Sequence, residues 1–161
     1  MGGVAYGVKI SDRSAYRALE DLEADMLRIR RRILSRVGER AISYVQREKL
    51  RGQVLNRRSG HLAQGLHYVF IGPVSIFIAP SVKYGAIHEY GGVIRPVNAK
   101  VLRFFDEGGN PVFAKQVTIP AKPWLGPGLG EYLKSGEAER LVDVTLQDEL
   151  DRLSRSARNG N

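Results

Sequence analysis

Three histidines, His61, His67 and His88, are the residues of this chain best suited to proton transfer or metal binding. No two of them stand at metal-ligand spacing. His88-Glu89 opens as a zinc-protease helix does, but the run HEYGG has no second histidine four residues on. The chain has no cysteine, so thiolate metal sites, disulfides and cysteine nucleophiles are excluded together. Asp106-Glu107 falls in an expected turn. Asp148-Glu149 falls on two faces of an expected helix, and both acidic pairs read as solvated. There is no Walker loop and no GxSxG elbow, and GPGLG lacks the GxGxxG register. Catalysis needs a nucleophile, a base and an orienting group within mutual reach. Nothing here nominates such a set. The chain reads as a non-enzyme with no cofactor and no metal, and a small hydrolase built on His88 and Glu89 is the weakest alternative.

Basic residues outnumber acidic ones, 25 to 17, for a net charge of +8. The excess lies at the front: residues 1–60 carry net +7, residues 61–134 net +3 and residues 135–161 net −2. Two faces with different partners are implied, one of them nucleic acid or an acidic protein. Arg28, Arg30, Arg31 and Arg32 form a basic run, and Arg57 and Arg58 add two more cations further on. No zinc-finger spacing, RNP motif or short helix-turn-helix pair is present, so any contact with DNA would be electrostatic and blind to sequence.

The elements that must position these residues follow from periodicity. After the N-cap types Ser11 and Asp12, apolar residues recur three or four apart at Ala15, Leu19, Leu22, Met26, Ile29, Ile33 and Val37. This predicts a helix running to about Leu50, either broken near Gly38 or lying against a neighbouring subunit. Leu66–Ile71 and Val74–Ile78 read as a hairpin about Gly72-Pro73. Tyr84–Tyr90 reads as one or two helical turns, closed by Gly91. Val93–Ile94, Val101–Phe105 and Pro111–Ile119 are further strands, with a glycine turn over residues 106–110. Residues 120–130, PAKPWLGPGLG, are too rich in proline and glycine for regular structure. A second amphipathic helix runs from Glu137 to about Ser154, with Ala138, Leu141, Val142, Leu146, Leu150 and Leu153 as its apolar stripe.

The expected fold is α+β: a long N-terminal helix and a C-terminal helix packed on an antiparallel β-meander of four to six strands. Residues 1–161 form one domain, with residues 1–10 a flexible arm and residues 155–161 a fraying tail. No apolar run approaches the ~18 residues of a membrane span, and the N-terminus lacks the layout of a signal peptide. A soluble protein folding in a cytoplasm is expected.

Two segments carry a more specific signal: YGAIHEYGGVIRPVNAK followed by VLRFF, over residues 84–105, and VFAKQVTIPAKPWLGP, over residues 112–127. Together they resemble the tail-completion proteins of Mu-like phages, the phage virion morphogenesis family, which is related to the tail-component family of lambda-like phages. The family pattern places a tyrosine and a histidine-acid pair before glycines. It ends in Ile-Pro-Ala-Arg-Pro-Phe-Leu-Gly-Pro. Tyr84, His88, Glu89, Gly91, Pro120, Pro123, Trp124, Leu125 and Pro127 match that pattern. Lys122 replaces its arginine and Trp124 its phenylalanine, and the lysine loses bidentate geometry toward a carboxylate. Arg58-Ser59-Gly60-His61-Leu62 resembles the family's Arg-Thr-Gly-x-Leu stretch.

The resemblance implies a virion structural protein at the head–tail junction, assembled in the host cytoplasm as a homo-oligomeric ring, most simply of six copies. Its implied neighbours are portal-adaptor or head-completion proteins on one side and the tail tube or tail terminator on the other. Genome DNA would pass through the channel without sequence preference. No small molecule, cofactor or membrane is implied. The alternative from another class is a non-sequence-specific DNA-binding protein, resting on the +8 charge. Trp124 and Leu125 are expected to be buried in an ordered, docked segment. Some of Arg28, Arg30, Arg31, Arg32, Arg57 and Arg58 are expected to face the channel or an acidic neighbouring ring; the alternative is a solvated face that contributes solubility only.

Overall fold

The structure is a computed structural model that describes residues 13–55, 60–106 and 108–159. The expected N-cap at Ser11 or Asp12, the arm over residues 1–10, and the Arg57-Arg58 pair lie outside the described residues. The fold is α+β. A long helix, α1 (Arg13–Lys49), leads into a short turn of helix, α2 (His61–Gln64). Strands β1 (Leu66–Phe70) and β2 (Ile76–Pro80) follow, then α3 (Tyr84–Tyr90). Strands β3 (Gly92–Ile94), β4 (Leu102–Phe105), β5 (Pro111–Ala114) and β6 (Val117–Ile119) precede two C-terminal helices, α4 (Leu125–Lys134) and α5 (Glu137–Asn159).

The six strands pair as three separate antiparallel ladders, β1–β2, β3–β6 and β4–β5, rather than as one continuous meander. The chain from Pro111 to Ile119 is two strands with different partners, not a single returning strand. It breaks at Lys115-Gln116, so β5 closes a hairpin with β4 while β6 returns to β3.

Helix α1 does not break at Gly38. Its 37 residues run unbroken, about 55 Å at 1.5 Å per residue. Gly38 is buried, and a Cβ there would lie 2.8 Å from Ile76 Cδ1 and 3.0 Å from Tyr68 Cδ1. The missing side chain is therefore where the β1–β2 ladder seats on the helix.

The core runs along the C-terminal half of α1 in two clusters. Val45, Leu50, Leu66 and Trp124 form one, with Ile42, Leu62 and Leu125 packed around them. Ala41, Tyr132 and Ala138 form the other, with Val37, Tyr44 and Leu129 against them. Helix α5 returns antiparallel along α1 on part of its expected apolar stripe: Ala138 is buried, and Leu141, Val142 and Leu153 are half-buried. Leu146 and Leu150 are exposed. The inward positions are Ala138, Thr145 and Glu149.

Those polar residues meet arginines of α1. Arg32 Nη1 lies 2.9 Å from Glu149 Oε1. Arg36 Nη1 donates to Thr145 Oγ1 at 2.9 Å, and the Thr145 hydroxyl donates to the Leu141 carbonyl at 2.6 Å. The Asp148-Glu149 pair is thus only half solvated: Asp148 faces water and Glu149 is buried. A buried carboxylate is tolerable when it is paired. Residues 155–159, expected to fray, continue α5.

Removing only the cation should therefore cost more than removing the carboxylate. Arg32→Gln leaves Glu149 buried without its partner and should lower stability by about 1–3 kcal/mol, less than a fully buried pair because Arg32 is half exposed. Glu149→Met, which removes the buried charge, should cost less. Urea unfolding of the two variants checks the order, and equal losses would mean that the pair is incidental.

Candidate functional site

The two segments singled out by sequence meet in space. Between them they build the start of α4. Helix α3 presents Glu89 from its last turn, and Gly91 then turns the chain at φ 73°. A Cβ on Gly91 would come within 2.9 Å of the Ala121 nitrogen and 3.1 Å of the Ile119 carbonyl oxygen, so a side chain is excluded by space as well as by backbone angle. The β3–β6 ladder follows, pairing Gly92 with Ile119. It brings residues 120–127 back beside α3. The Lys122 amide donates to the His88 carbonyl at 2.8 Å.

Helix α4 has no cap of its own. The first N–H groups of a helix lack intrahelical acceptors, and the side chain of Trp124 at the N-cap position accepts none of them. Glu89 supplies the acceptors from α3. Its Oε2 receives the amides of Trp124 at 2.7 Å and Leu125 at 2.8 Å, and its Oε1 receives that of Gly126 at 2.9 Å. Pro127 comes next and has no N–H to satisfy; proline is tolerated in a first turn for that reason. A carboxylate at a helix N-terminus is also favoured by the helix dipole. The expectation that residues 120–130 are irregular is thereby corrected. Residues 125–130 are helical because a residue 36 positions from Leu125 caps them.

Trp124 is fully buried, as expected, and its indole N–H donates to the Gly85 carbonyl at 3.4 Å. Leu125, expected to be buried, is half-buried at the edge of the cluster. Pro120, Pro123 and Pro127 are exposed. The Tyr84 ring is half exposed and meets His88 edge-on at 6.2 Å between centroids. An apolar groove of about 370 Å³ opens beside this junction, lined by Phe77, Pro80, Val82, Ala86, Tyr90 and Trp124 among others.

The three histidines stay apart. His88 sits on α3, and His67 on β1 contacts the Gly65 carbonyl through Nδ1 at 3.1 Å. His61 begins α2. Among the described residues, no three histidine, aspartate or glutamate side chains converge on a metal-sized site. No helix among them is long and apolar enough to cross a membrane.

The described arginines of the α1 run have distinct surroundings. Arg28 pairs with Asp25 one turn back. Arg31 stacks over the Phe70 ring at 5.6 Å. Arg32 holds Glu149. Arg30 lines a separate surface groove with Tyr16, Leu19 and Met26. Substituting Arg30, Arg31 and Arg32 together would therefore disturb the α1–α5 contact as well as the surface.

Sequence reasoning missed Glu149 and the capping role of Glu89. A carboxylate two residues before a glycine, upstream of a proline-flanked aromatic, was the available signal for Glu89. Glu149 gave none, because its neighbours one turn away, Thr145, Leu146, Arg152 and Leu153, mix polar and apolar types.

Comparison with protein-family models, with curated proteins and with solved structures returned no match to this chain.

The junction makes two measurable demands. Glu89→Ala should destabilise by about 2–4 kcal/mol, since several amides lose a charged acceptor at once. Trp124→Ala should cost ~3–5 kcal/mol. Trp124 is the sole tryptophan, so its emission reports the site directly. It should be blue-shifted in the native protein and shift red in Glu89→Ala. Native emission matching that of free tryptophan would rule out the buried junction.

Proposed function

We propose that this chain is a structural protein of a phage head–tail junction: a tail-completion or neck subunit that acts as a homo-oligomeric ring and does no catalysis. The observation that carries the reading is the junction itself. The two segments that resemble the tail-completion family, residues 84–105 and 112–127, come together through Glu89 and the start of α4. That arrangement gives each shared residue type a physical task. Glu89 accepts amides, Gly91 permits the turn, Trp124 fills the core and Pro127 begins the helix without a wasted donor.

The distribution of apolar side chains supports an assembling subunit. Among the described residues, eight hydrophobic side chains are buried while 22 large ones are exposed. Scattered exposed hydrophobics are ordinary. Here they gather along the first half of α1 and on the faces of β1–β2 and β4–β5, and contiguous apolar surface marks interaction sites. The ring would comprise about six copies, following the symmetry that the resemblance implies. It would sit between portal-adaptor or head-completion proteins and the tail tube or terminator, with DNA passing through. Its place is the virion, after assembly in the host cytoplasm.

The DNA-binding alternative is weakened by what the arginines do. Arg28, Arg31, Arg32 and Arg36 are each engaged within the chain. Their charge still adds to any long-range field, but their geometry is committed.

Inactivating the gene in the genome that carries it should leave DNA-filled heads and finished tails unjoined in electron micrographs. Purified protein added to that lysate should restore joined particles. Normal particles without the protein would overturn the reading. Tight binding of the free protein to duplex DNA, weakening steeply with salt, would favour the alternative.

A further inference from the structure

Two parts of this chain stand away from its core, and they are complementary. The first is the N-terminal half of α1. The apolar line that α4 covers at Val37, Ala41 and Tyr44 continues toward the N-terminus as Tyr16, Leu19, Leu22 and Met26, each at least 43% exposed. These residues line a shallow groove together with Glu20, Glu23 and Arg30. No described residue forms an ion pair with Glu20 or Glu23 within the chain, so the groove is apolar with an acidic rim at its N-terminal end and Arg30 at the other.

The second is the β4–β5 hairpin. Among the described residues its strands pair with each other and make at most sparse contacts with any other element. The hairpin is nevertheless a formed object. Asp106 Oδ1 accepts the Asn110 amide at 2.8 Å, and that contact, with a second one from the Asn110 side chain, holds the Asp106 carboxyl below its ordinary pKa. Gly109 takes the turn at φ 78°. The register pairs Arg103 with Phe113 and Phe105 with Pro111, which places Arg103, Phe105 and Phe113 on one face. Phe105 and Phe113 are about 60% exposed, at 59% and 61%. Arg103 stacks over Phe105 at 5.6 Å, and Lys115 follows at the end of β5. This face is apolar with a basic rim.

We propose that the β4–β5 hairpin of one copy docks its Arg103–Phe105–Phe113 face into the Tyr16–Met26 groove on α1 of a second copy. The inference rests on the ring reading above and names its subunit contact. Three matches support it. Both surfaces are apolar at the centre. The rims carry opposite charge, Glu20 and Glu23 against Arg103 and Lys115, which favours one register and one partner. The dimensions agree: four strand residues span roughly 13 Å, and the groove from Tyr16 to Met26 spans about 15 Å of helix. Because the two surfaces are different parts of one chain, the contact is head-to-tail. A head-to-tail contact propagates from copy to copy and closes into a ring when its rotation permits.

The chain has no cysteine, which makes the test direct. Leu22→Cys and Phe113→Cys proteins, one carrying a mass tag, are mixed at ~0.5 mM, where even a near-millimolar contact is populated. They are then oxidised and resolved without reductant. The expected product is a disulfide-linked pair with one copy of each, at least tenfold above a mixture of Leu22→Cys with Val97→Cys, whose site lies outside both surfaces. Adding Glu20→Lys and Glu23→Lys to the first partner should cut the yield about tenfold. Arg103→Glu and Lys115→Glu in the second partner should restore it. A mixed yield no higher than the Val97→Cys control, or a predominance of Leu22–Leu22 links, would overturn the proposal. This readout does not depend on phage assembly. Cross-linking without any effect on head–tail joining would leave the contact standing and remove the neck reading. Joining without this cross-link would do the reverse.

Discussion

The carboxylate of Glu89 is the interaction on which the rest of the architecture depends. It collects the amides of Trp124, Leu125 and Gly126. In doing so it fixes where α4 begins and which way it points. With that direction set, Trp124 drops into the cluster with Val45, and Tyr132 reaches Ala41 and Ala138 further along. Gly136, at φ 74°, then reverses the chain so that α5 can run back along α1. Capping is usually local, from a residue at the helix start. Here the cap comes from another helix, so the same hydrogen bonds that satisfy α4 also tie the middle of the chain to its C-terminal third.

Helix α1 carries two kinds of contact. Its second half meets α4 and the β1–β2 ladder through apolar side chains and the bare backbone at Gly38. Its middle meets α5 through Arg32, Arg36, Thr145 and Glu149. Polar contacts of this kind add little net stability, since desolvation offsets much of the attraction. They do specify register, because an ion pair and a hydroxyl cannot slide by a turn without leaving a buried carboxylate alone. The apolar residues that a conventional helix pair would have placed between α1 and α5 are on the outside instead, at Leu146 and Leu150. The inner surface is therefore partly polar, and the outer surface, rich in leucine and phenylalanine, is what the proposed ring would have to cover.

Much of the fold was legible in the sequence where a single period governs a segment. The apolar spacing along α1 and α5 located both helices. Glycine and proline located the turns at Gly72 and Gly109, whose φ values are positive. Legibility failed where distant residues decide local structure. Nothing within PAKPWLGPGLG favours a helix, and its propensity is poor. Glu89 and the burial of Trp124 and Tyr132 override it. The stripe of α5 is only partly right for a related reason: hydropathy alone does not show that Leu146 and Leu150 face outward while Thr145 and Glu149 turn in. Of the site, the residue types were visible in advance, but their meeting was not, because only the β3–β6 pairing brings them together.

That pairing has a consequence for how the protein can vary. Strands β3 and β6 hold the chain together at the point where it leaves the body and the point where it returns. Everything between Arg95 and Gln116 is an excursion from that clasp, and at its base Arg95 Nε donates to Gln116 Oε1 at 3.3 Å. Lengthening a loop whose ends are already held together costs little entropy, only about 0.6 kcal/mol per doubling. The hairpin can therefore be extended, shortened or exchanged over evolutionary time while the junction beneath it stays intact. The fold separates a part that must be kept from a part that is free to change with whatever it touches.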